Sequence, residues 1–483
     1  MGSRGSMRAR VTVTLIAVLA VLGGLAAQQA PDRSAPPPIG PVPAVKVPTV
    51  VKRQLSNGLP VWIVEMHKVP VASVTLAIKA GASADPGGRF GLARLTADML
   101  DEGAGTRGAL EIADAVEYLG ASLSTSGSFD ETSVDLHVPV ARLDDALAMM
   151  SDVALRPTFP DKELQRVREE LLTSLVQVQD DPEALVQFAF PRLVYGPSHR
   201  YGTLTIGTAA ALKGVTAAEL RQFHARNYVP ASSVLIVTGD VSPDALLPRL
   251  EAAFGKWSGA APPSAAPSAA RQLTARQIFV VDKPGAAQSQ IAIGWVGVPR
   301  STPDYFALRV LNTVLGGAFT SRLNQNLREE HQYSYGARSS FDMRAGAGPF
   351  AATAGVQTDK TAESLTEFFK ELQNIRTPIP TAELEKATNY LALQLPRAFE
   401  TTDSVAASLE QMFVYDLPEN YFSTYTDRVK AVTAADVQRA AERYIQPDKF
   451  AIVVVGDRKQ IEPGIAALKL GPIRVVTIDE VMK

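Results

Sequence analysis

A helix that holds a hydrolytic metal ion needs two imidazoles and a carboxylate on one face. The inverted zinc motif, His-x-x-Glu-His, meets that need through spacings of three and four residues. Its imidazoles bind Zn²⁺, and its glutamate takes a proton from the metal's water. The segment Gly91-Leu-Ala-Arg-Leu-Thr-Ala-Asp-Met-Leu-Asp-Glu-Gly103 has the outline of such a helix and none of its ligands. The corresponding positions are Arg94, Ala97 and Asp98. A guanidinium repels a divalent cation and offers it no lone pair, and alanine offers no base. Arg94 and Asp98 are four apart and can pair with each other instead. The five histidines, His67, His137, His199, His224 and His331, are dispersed, and none forms a helical pair with a carboxylate at ligand spacing. The expected set of metal ligands in this chain is therefore none.

A second group of residues could act on a polarised oxygen. Arg328 presents donors in a fixed fork that suits carbonyl oxygens. Tyr335, seven residues on, carries a hydroxyl that can donate to an oxygen gaining charge. The spacing alone is not specific: an arginine on a solvated helix face and a tyrosine packed under a strand would satisfy it equally. Tyr333 is the alternative to Tyr335, two residues earlier. His331 lies between Arg328 and Tyr335, but no activated nucleophile accompanies it, so it reads as a surface histidine, and Glu329 and Glu330 read as solvated.

The elements that position these residues recur. Lys213-Gly-Val-Thr-Ala-Ala-Glu-Leu matches Lys430-Ala-Val-Thr-Ala-Ala-Asp-Val at an offset of 217, and the match continues to Gly239-Asp240 and Gly456-Asp457. Arg156-Pro-Thr-Phe-Pro160 matches Arg376-Thr-Pro-Ile-Pro380 at an offset of 220. Ordered matches at nearly equal offsets mean a duplicated unit. Val61 to Val64 and Val71 to Ile78 read as strands, the first entered through an Asn57-Gly58 turn. Ser232 to Val237 and Ala451 to Val455 are further strands. Leu164, Val167, Leu171, Leu172, Leu175 and Val176 recur at helical spacing after Pro160. Thr216 and Thr433 are candidate N-caps with an acid three residues on. Residues 321–331 read as a helix ending near Arg328, and Tyr335 opens the next strand. Residues 344–349 read as a turn without the Lys-Ser/Thr end of a phosphate loop. The predicted class is α+β, two duplicated halves, each a mixed or antiparallel sheet covered on one face by helices.

Asn57-Gly58-Leu-Pro-Val-Trp-Ile-Val-Glu65, Gly81-Ala-Ser and Gly91-Leu-Ala together resemble the family of insulinase, pitrilysin and the mitochondrial processing peptidase. The likeness spans nearly all of Pro48 to Val455. It implies that a further zinc-binding glutamate of the family falls at Ser174, so the third ligand is missing as well. The run Leu315-Gly-Gly-Ala-Phe-Thr-Ser-Arg-Leu-Asn-Gln-Asn-Leu-Arg328 to Tyr335 resembles the segment carrying the family's substrate-binding arginine and tyrosine. By that resemblance Arg328 and Tyr335 are both substrate-binding and catalytic, contacting the peptide backbone and stabilising the tetrahedral intermediate. The combination is similar to the non-zinc subunit of bacterial two-subunit peptidases. It implies a homologous zinc-bearing partner and peptide substrates, with no cofactor in this chain. The competing expectation is a non-proteolytic structural or peptide-binding protein, homodimeric or not, that keeps the peptidase shell.

Composition sets the remaining bounds. The 483 residues are 46% hydrophobic and 20% charged, as in a soluble globular protein. Arg4, Arg8 and Arg10 precede an apolar run from Val11 to Ala27, which reads as a secretion signal over residues 1–27 and is shorter than the about 20 residues of a membrane span. Losing those three arginines takes the net charge from −2 to −5, which argues against a nucleic-acid partner. There is no cysteine, hence no disulfide and no lipid-anchored cysteine. A proline- and alanine-rich leader (28–47), a first peptidase-like domain (48–257), a linker (258–272) and a second domain (273–483) complete the expected organisation. The expected location is the periplasm or the medium, with no membrane attachment once the signal is cleaved.

Overall fold

Continuous apolar runs in the central strands require two buried sheet faces, and the fold supplies them by exchanging helices between its halves. The computed structural model describes residues 45–260, 262 and 269–483. The secretion-signal reading of residues 1–27 lies outside them, as do most of the 28–47 leader and the middle of the linker. The first sheet contains β1 (Val51–Gln54), β2 (Pro60–Glu65), β3 (Val71–Ile78), β4 (Ser122–Gly127), β5 (Thr132–Pro139) and β6 (Ser233–Gly239). Its order is β1-β2-β6-β3-β5-β4. The second contains β7 (Gln277–Asp282), β8 (Gln288–Val296), β9 (Ser334–Phe341), β10 (Pro349–Gln357), β11 (Ala451–Gly456) and β12 (Ile473–Val476). Its order is β12-β7-β11-β8-β10-β9.

The duplication read from the sequence is visible strand for strand. β2 and β6 are parallel, as are β7 and β11, and every other pairing among the five repeated strands is antiparallel. Only the outer edges differ: β1 runs antiparallel to β2, whereas β12 runs parallel to β7.

The helices needed to follow the packing are α1 (Leu92–Asp98), α2 (Leu143–Leu155), α3 (Asp161–Val178), α4 (Pro182–Tyr195), α5 (Ala217–Asn227), α6 (Tyr305–Asn312), α7 (Thr361–Asn374), α8 (Thr381–Gln394), α9 (Thr402–Val414) and α10 (Ala434–Tyr444). Thr216 and Thr433 cap α5 and α10 through full capping boxes with Glu219 and Asp436. On α3, Leu164, Val167 and Leu175 are buried, but Val176 points outward and is 60% exposed.

One face of the first sheet packs on its own helices, with Val61, Ile63, Val74, Leu76, Leu235 and Val237 in that core. The opposite face, through Val64, Ala77, Val234 and Ile236, packs on Val405, Ala406, Leu409 and Met412 of α9, a helix from the second half. The exchange is reciprocal: Leu185, Ala189, Phe190 and Val194 of α4 cover Phe279, Val281, Ala292 and Val453 of the second sheet. The expectation of helices on one face is thus extended to both. Strands buried on both faces lose the polar alternation of a half-exposed sheet, which is why β6 and β11 read as continuous apolar runs.

Polar contacts register the halves. The Ser73 hydroxyl donates to Thr402 Oγ1 at 2.7 Å, and the Thr238 hydroxyl donates to the Thr402 carbonyl at 2.8 Å. The turn at 344–349 docks on the first half: the Ala345 N–H donates to Asp130 at 2.8 Å, the Tyr195 hydroxyl donates to the Ala347 carbonyl at 2.8 Å, and the Arg344 guanidinium lies 3.7 Å from the centre of the Phe129 ring.

The same seam holds a set of carboxyl groups. Burial, reinforced by Asp130 and Asp135, pushes the Glu131 carboxyl up to about 7. Burial, reinforced by Glu131 and Asp135, pushes Glu410 of α9 up to about 8. The folded chain therefore keeps protons that the unfolded chain releases above its ordinary carboxylate range. The contribution of these two groups to stability is fully present below that range and is lost as pH rises through 7 to 8. Replacing Glu410 by Gln should leave stability near pH 4.5 unchanged and raise it at pH 8.5 by on the order of 2 kcal/mol. Urea denaturation at the two pH values measures this; an equal effect at both would overturn it.

Candidate functional site

The degenerate metal locus is built on α1. Its N-cap is Gly91, at φ 106°, a left-handed conformation that only glycine adopts freely; an added Cβ would also lie 2.5 Å from the Ile206 carbonyl oxygen. Glycine has no side chain to cap the helix, so the preceding loop does it. Asp85 accepts from the N–H groups of Gly91 at 2.8 Å and Ala93 at 2.7 Å. Arg200 holds Asp85 from the other side at 2.9 Å, with the Asp85 side chain fully buried. Leu92, Ala93, Leu95, Thr96 and Ala97 of α1 are buried. The Thr125 hydroxyl of β4 donates to the Ala97 carbonyl at 2.8 Å, tying α1 to that edge strand.

On this helix Arg94 Nε donates to both Asp98 oxygens, at 2.7 and 2.8 Å. Burial raises the Asp98 carboxyl while Arg94 pulls it down, so its charge is sustained by the guanidinium. Ser174 lies exposed on α3, which packs against α1, and its hydroxyl donates to the Glu170 carbonyl at 3.0 Å. The nearby carboxylates of Glu163 and Glu170 are both engaged by Arg166 at 2.8 Å, and Glu102 pairs with the same guanidinium. Arg94 is itself a cation and engages Asp98, Ala97 offers no lone pair, and the Ser174 hydroxyl is turned to a backbone carbonyl, so these residues do not fit zinc. No group of three or more His, Cys, Asp or Glu among the described residues has metal-binding geometry. We expect purified protein to carry far less than one zinc per chain, by elemental analysis. Its melting temperature should not move with chelator or added zinc; a stoichiometric ion would overturn this.

Arg328 and Tyr335 stand on a different device. Residues 321–331 begin as the expected helix, but only Arg322–Asn324 is α-helical. Gln325–Glu330 widens into a π-helical turn, closed by the His331 N–H donating to the Asn326 carbonyl at 3.0 Å. Such turns re-aim side chains that a regular helix would point elsewhere. Gly316 makes the supporting contact: a Cβ there would meet the Ser339 nitrogen at 2.2 Å, so glycine lets the preceding helix lie against β9. Asn324 is buried and bridges the two elements, donating to the Phe319 carbonyl at 2.6 Å and accepting from the Ala337 N–H at 3.2 Å.

The Arg328 guanidinium sits 4.8 Å from the centre of the Phe319 ring and 3.3 Å from Glu329. Phe319 is itself 60% exposed, so its ring forms an open surface beside the cation. Tyr335 is 87% exposed at the start of β9, on the free edge of the second sheet. The packed-tyrosine alternative is thereby removed. No hydrogen bond or ion pair among the described residues joins Arg328 to Tyr335, and the contacts of each are local. Tyr333 behaves differently. It lies before the strand, half-buried, stacked on His331 at 5.0 Å and 19°, and its N–H donates to the Leu327 carbonyl at 2.9 Å. A register shift between Ser334 and Ala337 breaks the simple alternation that would place both tyrosines on one face. Tyr335 is the more exposed of the two tyrosines. His331 is less exposed than a surface histidine, at 34%, and lies 3.7 Å from Glu367.

The sequence and the fold both have relatives among known proteins. Residues 61–199 match the family model described as insulinase, peptidase family M16, and residues 214–391 match the model described as the peptidase M16 inactive domain. The chain belongs to the M16 insulinase family. An uncharacterized zinc protease of Mycobacterium leprae is 26% identical over 330 residues, covering 68% of this chain and 73% of that protein. A non-peptidase homolog of Helicobacter pylori is 22% identical over 410 residues, covering 83% of this chain and 93% of the relative. Among solved structures, a peptidase M16 inactive domain from Pseudomonas fluorescens superposes with a TM-score of 0.77 at 27% identity, covering 84% of this chain and 98% of that one. Within the family, this chain is a catalytically inactive peptidase-like protein.

Proposed function

We propose that this M16 protein is the substrate-binding subunit of an exported heterodimeric zinc endopeptidase. A homologous partner supplies the metal and the general base; this chain supplies Arg328 and Tyr335. The guanidinium, backed by the Phe319 ring, binds a backbone carbonyl of the peptide and orients the scissile bond. The Tyr335 hydroxyl donates to the oxygen that gains charge. The observation that carries this reading is the contrast between two loci of one chain. Arg94 and Asp98 of the degenerate helix are closed on each other, whereas Arg328 is half-exposed and Tyr335 is exposed and free of any packing duty.

Co-expression with an exported M16 chain bearing an intact His-x-x-Glu-His tests it. Each chain alone should cleave a quenched-fluorescence peptide slowly or not at all, and the purified pair should cleave it rapidly. Full activity of the partner alone would refute the proposal. A second reading, a non-proteolytic structural or peptide-binding protein, is favoured by the name of the Helicobacter relative as a non-peptidase homolog. Peptide binding without cleavage by any such pair would support it. Export by the segment 1–27 is part of the proposal; no helix among the described residues is long and apolar enough to cross a membrane.

A further inference from the structure

Arg328 and Tyr335 make no hydrogen bond or ion pair with each other among the described residues, so their relative placement is set by the segments that carry them. One buried side chain, Asn324, is bonded to both supports. It is 5% exposed and immediately precedes the π-helical turn that carries Arg328. Its Nδ2 donates to the Phe319 carbonyl at 2.6 Å, and its Oδ1 accepts from the Ala337 N–H at 3.2 Å. A carbonyl only accepts and an N–H only donates, so one orientation of the carboxamide serves both.

Each of these bonds leads to one of the two groups. Phe319 carries the ring that lies 4.8 Å from the Arg328 guanidinium. Ala337 ends the register shift that begins at Ser334, on the free edge of the second sheet. Tyr335 stands inside that irregular stretch, where ladder pairing does not fix the direction of a side chain. The Ser334 hydroxyl closes the stretch at one end, donating to the Gly336 carbonyl at 2.8 Å, and Asn324 pins the other. We propose that Asn324 is a positioning residue that holds Arg328 and Tyr335 in register, so that both reach one scissile peptide group. The proposal rests on the peptidase reading and adds to it a residue that touches no substrate. Its expected weight is large, because a misplacement of about 1 Å can cost on the order of 10²-fold in rate.

Asn324→Asp keeps the shape and the acceptor but turns a second acceptor toward the Phe319 carbonyl. In the purified pair with the zinc-bearing partner, it should lower kcat/KM for a quenched-fluorescence peptide by at least about tenfold. The deciding measurement repeats the change in an Arg328→Ala/Tyr335→Phe background. There it should cost less than about twofold, because nothing is left for Asn324 to position. A merely structural role costs the same in both backgrounds. Equal costs, or unchanged turnover by Asn324→Asp alone, would overturn the proposal and leave the peptidase reading standing. Wild-type turnover by the Arg328→Ala/Tyr335→Phe chain would remove that reading and this proposal with it. If the Asp variant does not assemble, Asn324→Ser, which drops both hydrogen bonds and buries no charge, takes its place in the cycle. Failure of both variants to assemble would show that Asn324 serves folding and would overturn the assignment.

Discussion

Arg328→Ala should lower kcat/KM of the proposed two-subunit peptidase by 10²- to 10³-fold, about 2.7–4 kcal/mol of transition-state stabilisation, while the two subunits still co-purify. The size follows from what the side chain would do. A charged donor aimed at the oxygen that develops charge acts far more on the transition state than on the bound peptide. Assembly should survive, because Arg328 contributes no buried contact. It is 39% exposed, and its recorded neighbours are Glu329 and the exposed face of Phe319. Arg328→Lys separates charge from geometry: a point charge that cannot make a forked contact should recover only part of the loss. Tyr335→Phe should cost less, since it removes one hydroxyl and keeps the ring, whereas Tyr333→Phe should be silent in turnover. Steady-state kinetics on the purified pair reads all four variants. Wild-type turnover by Arg328→Ala would remove this chain from the chemistry.

Much of this arrangement was legible in the sequence because it is local or periodic. The matches at Lys213 and Lys430 announce the duplication, and each capping threonine needs only the acid three residues later. The loss of zinc chemistry is likewise local, since three side chains on one short helix decide it. What the sequence hid is non-local. The apolar stripes of α4 and α9 show that each helix buries a face but not that each buries it on the other half's sheet. Val176 continues the spacing of α3 yet is exposed, because its position has rotated past the contact stripe. The π-helical turn at Gln325–Glu330 adds no composition signal, and the choice between Tyr333 and Tyr335 depends on the register shift that follows it. Arg94 and Asp98 were readable as a pair; that Arg166 also engages the carboxylates of Glu102, Glu163 and Glu170 was not.

The least legible contact is expected to be the most costly to break. Asp85 and Arg200 are far apart in the chain, and neither belongs to a motif. Together they hold the start of α1, because Gly91 cannot cap its own helix. Asp85→Ala should destabilise the protein by about 3–5 kcal/mol, since it strands a buried guanidinium and frees two N–H groups at once. The carbonyls of Ala82 and Thr203, 2.6 and 2.7 Å from Arg200, do not neutralise that charge. The reverse substitution, Arg200→Met, should behave differently. A guanidinium cannot shed its proton, but a buried carboxyl can take one up. Burial already raises the Asp85 carboxyl against the pull of Arg200, so without Arg200 it will rise further. The folded Arg200→Met chain then holds a proton that the unfolded chain releases, and its deficit should grow as pH rises from 5 to 8. The deficit of Asp85→Ala, which has no carboxyl left to titrate, should not grow over the same range. Urea denaturation of both variants across that range gives the test. Matching pH profiles, or a cost for Asp85→Ala below about 1 kcal/mol, would show that α1 is positioned by its packing alone and not by this buried pair.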